Sequence, residues 1–218
     1  AQLCSTDART VPAPKEANLA DPVIARINSD NEAARKQADV IGAKTIGTAT
    51  APITTASDAQ DSSFGSSVRN RESAMSNMVA QMFKDTLGKD DPNFIGIQNP
   101  GGTRASLQSG EITYKDAALV LPFANSLMTT TVTGEQFKQV LEEQWQHDEK
   151  GQVPSRPFLS LGLSNNVSYT YDENLPEGQR ITSVWVNGKP IDPKASYTVG
   201  SGSFLILSLI HISEPTRP

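Results

Sequence analysis

The sequence predicts an α+β fold, and three observations carry that prediction. Phe94-Ile95-Gly96-Ile97 is an apolar run of buried-strand length. Phe137, Val140, Leu141 and Trp145 recur at helical spacing and give a helix one apolar face. Val167 to Tyr171 and Ile181 to Val186 alternate or run apolar as strands do, and Asn187-Gly188 follows the second as a hairpin signal. Helix and strand signals are mixed along the chain without the regular alternation of a βαβ fold.

Taken in order, the first element is a helix. Asp21-Pro22 supplies an N-cap and a proline at the first helical position. Ile24, Ile27, Ala34, Ala38 and Ile41 then fall near one face, and Gly42 ends the run. We read it as a connecting helix. Residues 43–68, rich in Ala, Thr, Ser and Gly, form a linker or entry segment with a short strand around Thr45 to Thr48. A second helix carries Met75, Met78, Val79, Met82 and Phe83 three and four residues apart, with Gly88 placed to cap its end. A methionine-rich stripe of this kind reads as core packing.

The strand at Phe94 to Ile97 runs into N-P-G-G-T-R, Asn99 to Arg104. A glycine pair at a strand end lets backbone approach a ligand closely. Asparagine both donates to and accepts from a base edge, and the arginine fork suits phosphate oxygens. Shortly after comes L-P-F-A-N, Leu121 to Asn125, where Phe123 follows Pro122 and offers a flat ring. Together these are parts of a nucleotide pocket. Thr133 and Gln136 have the spacing of a capping box at the start of the Phe137 helix.

At 218 residues the chain holds one full domain and a flanking piece. Its net charge of -5, with the basic residues dispersed, argues against a nucleic-acid partner or an acidic membrane surface. No apolar stretch approaches the roughly eighteen residues of a membrane span. The opening residues A-Q-L-C-S-T-D lack a basic region and an apolar core, so a secretory signal is absent or was lost upstream. Cys4 is the only cysteine and has no internal partner for a disulfide.

From about Arg69 to Leu205 an ordered series of motifs resembles the C-terminal domain of the 5'-nucleotidase and UDP-sugar hydrolase family. The series runs N-x-G-G-x-R, then G-x-I-T-Y-x-D (Gly110 to Asp116), L-P-F-x-N, T-G-x-Q-F (Thr133 to Phe137), L-x-L-G-L-S (Leu159 to Ser164), V-S-Y-T-Y-D (Val167 to Asp172) and I-T-S-V-W-V-N-G-K-P-I-D (Ile181 to Asp192). The resemblance implies a mixed β-sheet flanked by helices. It implies that residues 1–42 are the end of a missing metallophosphatase domain and its linker helix, and that 43–206 are a truncated C-terminal domain. The parent protein would be a phosphoester hydrolase of nucleotide catabolism, acting on nucleoside 5'-phosphates, UDP-sugars or cyclic nucleotides. Its expected location is extracellular, cell-wall or periplasmic. The competing reading is a non-catalytic surface module that keeps the fold.

In the resemblance the substrate-binding residues are Arg69, Asn99, Arg104, Phe123, Asn125, Gly162 and Phe204. Arg104 would hold phosphate or ribose, against the plainer role of a surface salt bridge. Asn99 opens the same turn, where Asn before Pro-Gly also serves simply as a turn residue. Phe123 and Phe204 would sandwich the base, or else be two core aromatics. Asn125 would lie beside the base, or serve the turn. Arg69 would approach the phosphate or ribose, with Arg71 as the competing match. Gly162 would line the pocket by close backbone approach, or mark a strand bulge.

Hydrolysis in the family uses two divalent metal ions held by His, Asp and Asn ligands. This chain has only two histidines, His147 beside a solvated helix end and His211 in the tail. No cofactor is therefore expected on this chain, which alone should be inactive; the metals belong to the missing N-terminal domain, its intramolecular partner. The tail Leu207 to Arg217, L-S-L-I-H-I-S-E-P-T-R, resembles a translated transposase mosaic-end adapter, which would end the natural sequence near Ile206. There the family carries a Gly-Gly-Asp run whose carboxylate takes the ribose hydroxyls. The other reading of these residues is an apolar strand, Phe204 to Ile212.

Overall fold

The computed structural model describes residues 21–56, 68–147 and 150–207. Cys4, His211, residues 57–67 of the linker and the adapter-like tail from residue 208 lie outside them.

Helix α1, Pro22–Gly42, starts where the sequence places it, with the Asp21 carboxylate accepting from the Val23 amide at 2.8 Å. Most of its apolar face is not covered within the described residues: Ile24 is half-buried, but Ile27, Val40 and Ile41 are exposed. What ties it down is Gly42, packed against Lys115, and an ion pair of Lys115 with Asp39 at 2.9 Å. Strand β1, Thr45–Ala49, follows, and Ile53 then bridges to Leu107. The start of the predicted linker is thus part of the packed domain.

Helix α2, Ala74–Phe83, is capped by the Ser73 hydroxyl and continues as a π-helical turn, Lys84–Gly88. Met75, Val79 and Phe83 are buried as expected, but Met78 and Met82 are 37 % and 44 % exposed. The apolar stripe is wider than the face the sheet covers, so its outer two residues stay in solvent. Gly88 is not the cap either: the positive φ of 39° falls on Lys89, and Gly88 is small because a Cβ there would meet the Phe94 ring at 2.4 Å.

Strand β2, Phe94–Gln98, is buried along its whole length. It is followed by β3, Gly110–Thr113, α3, Tyr114–Val120, β4, Leu127–Thr133, and α4, Gly134–Glu142. Short β5, Gly162–Leu163, precedes the meander β6, Val167–Tyr171, β7, Ile181–Val186, and β8, Lys189–Pro190; β9, Ser196–Gly202, closes the series. The principal sheet has the order β4-β9-β2-β5, with β2 and β9 parallel and the other pairings antiparallel, so it is mixed. Two further sheets pair β1 with β3 and join β6-β7-β8. Asn187 and Gly188 both take positive φ between β7 and β8, as the hairpin signal requires. Among the predicted strands and helices the fold class is confirmed: it is α+β.

Because side chains alternate along a strand, β2 serves two layers. Ile95 and Ile97 pack with Phe137, Leu141, Ile181 and Val199 in the core under α4. On the opposite face α2 lies so close that a Cβ on Gly96 would sit 1.9 Å from the Ala80 carbonyl oxygen. The α2 face forms its own core of Met75, Val79, Phe83, Leu107 and Val120. Each such large side chain, once buried, contributes about 1.5–3 kcal/mol. Helix α4 starts with both bonds of the predicted Thr133–Gln136 capping box and ends at Glu142, so Trp145 lies beyond it, bridged to Phe158.

Candidate functional site

The end of β2 delivers the chain into the turn that starts at Asn99. The Gly102 amide donates to the Asn99 carbonyl at 3.0 Å, closing the turn. Beneath it Thr103 is fully buried, and its hydroxyl meets the Gln98 side-chain amide at 3.3 Å and the Ser76 hydroxyl at 3.2 Å. Gln98 and Ser76 are also buried, at 4 % and 2 % exposure. These polar groups stay in the core because they satisfy one another, and leaving one unpaired costs about 1–3 kcal/mol. Nothing in the sequence singled out Gln98, Thr103 or Ser76, although they hold the turn in place.

Both glycines of the turn are crossed by side chains. A Cβ on Gly102 would meet Gln98 Nε2 at 2.6 Å and Asn99 Oδ1 at 2.8 Å; one on Gly101 would meet Arg69 Nη1 at 2.9 Å. Arg69 therefore lies across the turn. Its Nε is buried without a hydrogen-bond partner. Arg104 leaves the turn with its amide bonded to the Val120 carbonyl at the end of α3, at 2.9 Å. Burial lowers the pKa of Arg69 from the usual guanidinium range, and the like charges of Arg156 and Arg104 lower it further. No carboxylate among the described residues forms an ion pair with any of these three arginines.

On the other side of Asn99 lies a cavity of about 90 Å³. Asn99, Phe123, Asn125 and Phe204 all line it. Phe123 and Phe204 are 57 % and 66 % exposed, so neither is a core aromatic. Ala124, between Phe123 and Asn125, takes a positive φ of 49° that turns the chain at this point. Residues 203–207 are helical, which replaces the alternative of a strand from Phe204 for the described part of the tail. The Ser203 hydroxyl reaches Asn125 Oδ1 at 3.5 Å and ties the two sides of the cavity mouth together.

Of the seven residues the sequence proposed, four line the cavity and two, Arg69 and Arg104, flank the adjoining turn. Gly162 does neither. A Cβ on it would meet the Ser76 carbonyl group of α2 at 2.4 Å, so its close backbone approach is to a helix. It pairs in regular register with Gln98, and it marks no bulge. A larger groove of about 860 Å³ runs between α2 and β6. Two of its amides are already committed: Asn77 Oδ1 accepts from Leu163 N at 3.1 Å and Gln81 Oε1 from Asn165 N at 2.9 Å. The smaller cavity instead brings two aromatic rings beside the turn that Arg69 crosses.

Among the described residues no group of three or more His, Cys, Asp or Glu side chains gathers as a metal site, and no helix is long and apolar enough to cross a membrane. The donor set for a two-metal centre is not supplied by these residues.

Comparison with known proteins bears on the family and the fold. The chain is 31% identical over 186 residues to the "Probable 5'-nucleotidase" of Treponema pallidum, covering 78% of this chain and 29% of that protein. It is 35% identical over 118 residues to the "NAD 5'-nucleotidase" of Haemophilus influenzae, covering 51% of this chain and 19% of that protein. The chain thus spans less than a third of the length of these relatives. Its fold matches the crystal structure of a 5'-nucleotidase precursor from Thermus thermophilus with a TM-score of 0.66 at 23% identity, over 88% of this chain and 36% of that one. The family model described as "5'-nucleotidase, C-terminal domain" matches residues 45–208, more than half of the sequence, and the chain belongs to that family.

Proposed function

We propose that this chain is the nucleotide-binding, substrate-specificity part of a 5'-nucleotidase-type phosphoester hydrolase. One observation carries the reading: Asn99 joins a cavity lined by two aromatic rings to a turn that Arg69 crosses and Arg104 leaves, neither forming an ion pair among the described residues. A base between Phe123 and Phe204 gains about 1–3 kcal/mol from stacking. Asn99 and Asn125 present amides at the base or sugar edge, and Arg69 and Arg104 offer guanidinium forks to phosphate oxygens. The relatives named as nucleotidases support the assignment of substrate class.

Residues 1–42 in this reading end a metallophosphatase domain and its linker, 43–206 form the binding domain, and 207–218 are foreign to it. The two divalent ions of the absent domain would supply the nucleophile and neutralise the transferring phosphoryl group. The work of this chain is to bind and orient, carrying the nucleotide as the domain turns on α1. A secreted, cell-wall or periplasmic parent fits the family.

Titrating AMP and adenosine by calorimetry into the chain, and into a version rebuilt after Leu205 to end Gly-Gly-Asp, tests the proposal. Both ligands should bind weakly to the first and up to roughly a hundredfold more tightly to the second, because the added carboxylate accepts the ribose hydroxyls. Absence of binding by both proteins would overturn the nucleotide reading.

A further inference from the structure

We propose that the exposed apolar face of α1 pairs with the same face of a second copy of this chain, forming a short parallel two-stranded coiled coil that joins two domains as a dimer. The proposal is independent of the nucleotide reading and concerns a surface that the candidate site leaves untouched.

Along α1, Ile24, Ile27, Asn31, Ala34, Ala38 and Ile41 follow one another at alternating steps of three and four, the a and d spacing of heptads. A helix that packs on a globular core shows a broader apolar face than this, whereas a seam confined to a and d belongs to a coiled coil. Here the flanking positions Asn28, Asp30, Arg35 and Gln37 are all polar. Among the described residues little covers the seam beyond Ile24: Ile27 is 52 % and Ile41 64 % exposed. Asn31 occupies an a position. A single asparagine there specifies register and strand number at some cost in stability, because its amide is satisfied by the same residue across the seam.

Charge identifies the occupant as a second copy. In a parallel pair the g residue of one helix meets the e residue of the next heptad in the other, and such pairs set partner and orientation. Asp30 holds a g position and Arg35 the e position that follows it. Two copies in register therefore set Asp30 against the partner's Arg35 on both sides of the seam, so the face is complementary to itself, as a two-fold interface requires. Among the described residues Asp30 pairs only with Arg26, at 3.9 Å and in solvent, a contact that is easily exchanged. The packed domain also leaves the seam accessible. It is fastened to α1 at Gly42, against Lys115, and at Asp39, paired with Lys115 at 2.9 Å. At about 100° per residue both positions lie to one side of the seam, so a two-fold axis along the pair carries the two domains to opposite sides.

The test is sedimentation of the full chain over a concentration series, under reducing conditions so that Cys4 links no two copies. A seam this short, with two alanines and an asparagine in it, should give a weak dimer with a dissociation constant on the order of 10–100 μM. Asp30→Arg and Arg35→Asp each set like charges across the seam and should weaken the dimer about tenfold. An equal mixture of these two variants pairs opposite charges at both places and should recover the wild-type constant. Asn31→Val, which puts a β-branched apolar residue at the a position, should tighten the dimer about tenfold. All three positions are exposed, so the domain keeps its fold in each variant. A chain that stays monomeric at every concentration would overturn the proposal and leave the face to some other covering, such as the rest of a longer protein. A dimer indifferent to both charge substitutions, or single variants that stay weakened when mixed, would overturn it as well and place the contact elsewhere on the domain.

Discussion

At the arginine end of the candidate site Thr103 is fully buried and bonded to both Gln98 and Ser76, whereas at the aromatic end Phe123 and Phe204 stand more than half exposed. The first end is held by β2, α2 and a closed turn; the second is held by two loop segments joined through Ser203 and Asn125. The difference is one of when the free energy of order is spent. Donors that must meet phosphate are positioned during folding, so binding does not have to immobilise them. Phe123 instead keeps more than half of its surface exposed, and in the proposed reading its burial under a base is available as binding energy. In the proposed reading the site would orient a ligand at one end and gain affinity at the other.

The largest expected effect removes the support of the ordered end. In Gly162→Ala the new Cβ must displace backbone of α2 at Ser76, which cannot yield as a flexible side chain would. Overpacking of this kind costs about 1–3 kcal/mol, or roughly 2–4 °C of melting temperature per kcal/mol in a protein of this size. The same shift moves the Ser76 hydroxyl away from Thr103, so pyrophosphate affinity should fall more than adenosine affinity. Thermal melting with both titrations checks it, and an unchanged melting temperature would show that α2 does not bear on Gly162 as the distances indicate.

A crossed pair of substitutions sharpens the comparison at a smaller cost. Phe123→Ala should weaken adenosine by about 1–3 kcal/mol while leaving pyrophosphate unaffected. Arg104→Gln should do the reverse, with a loss of about 1.5–3 kcal/mol for pyrophosphate. Neither should change the melting temperature much, since Phe123 is exposed and Arg104 is bonded through its backbone. Parallel losses of both ligands in either variant would mean that the two ends are a single unit.

Which parts were legible in the sequence follows from the kind of signal each left. Asn99, Arg104 and Phe123 sit in short motifs with turn residues, and the structure places them at a turn and at a cavity mouth. The Thr133–Gln136 box was readable because its two partners are local. Thr113 and Asp116 have the same spacing and form a second box that only the structure made plain. The network of Ser76, Gln98 and Thr103 left no signal, because its members are ordinary polar residues brought together across α2 and β2. Gly162 was ambiguous in principle: a glycine needed for a ligand and one needed for a helix read identically. Met78 and Met82 show the related limit, since periodicity finds a stripe but not how much of it a sheet will cover.

The smallest expected effect concerns that second capping box, which fixes α3 and through it the arginine end. Asp116 Oδ2 accepts from the Thr113 hydroxyl at 2.6 Å and from the Thr113 amide at 2.9 Å, while the Asp116 amide donates to Thr113 Oγ1 at 3.2 Å. The bond from the Thr113 side chain, then that from its backbone, hold the Asp116 carboxyl below the ordinary aspartate range, against a small opposing effect of burial. A depressed folded-state pKa means the ionised carboxylate is favoured in the folded chain, so its contribution is fully present above the unfolded pKa and is lost as pH falls through the folded one. Helix α3 ends at Val120, whose carbonyl takes the Arg104 amide, so fraying of α3 loosens Arg104. Asp116→Ala should lower the melting temperature slightly near neutral pH and reduce pyrophosphate affinity by less than Arg104→Gln does. Melting curves of both proteins between about pH 7 and about pH 3 give the check, because the gap between them should close only once the carboxylate of the parent chain protonates. A gap that stays constant through that range would show that the charge of Asp116 plays no part in holding α3.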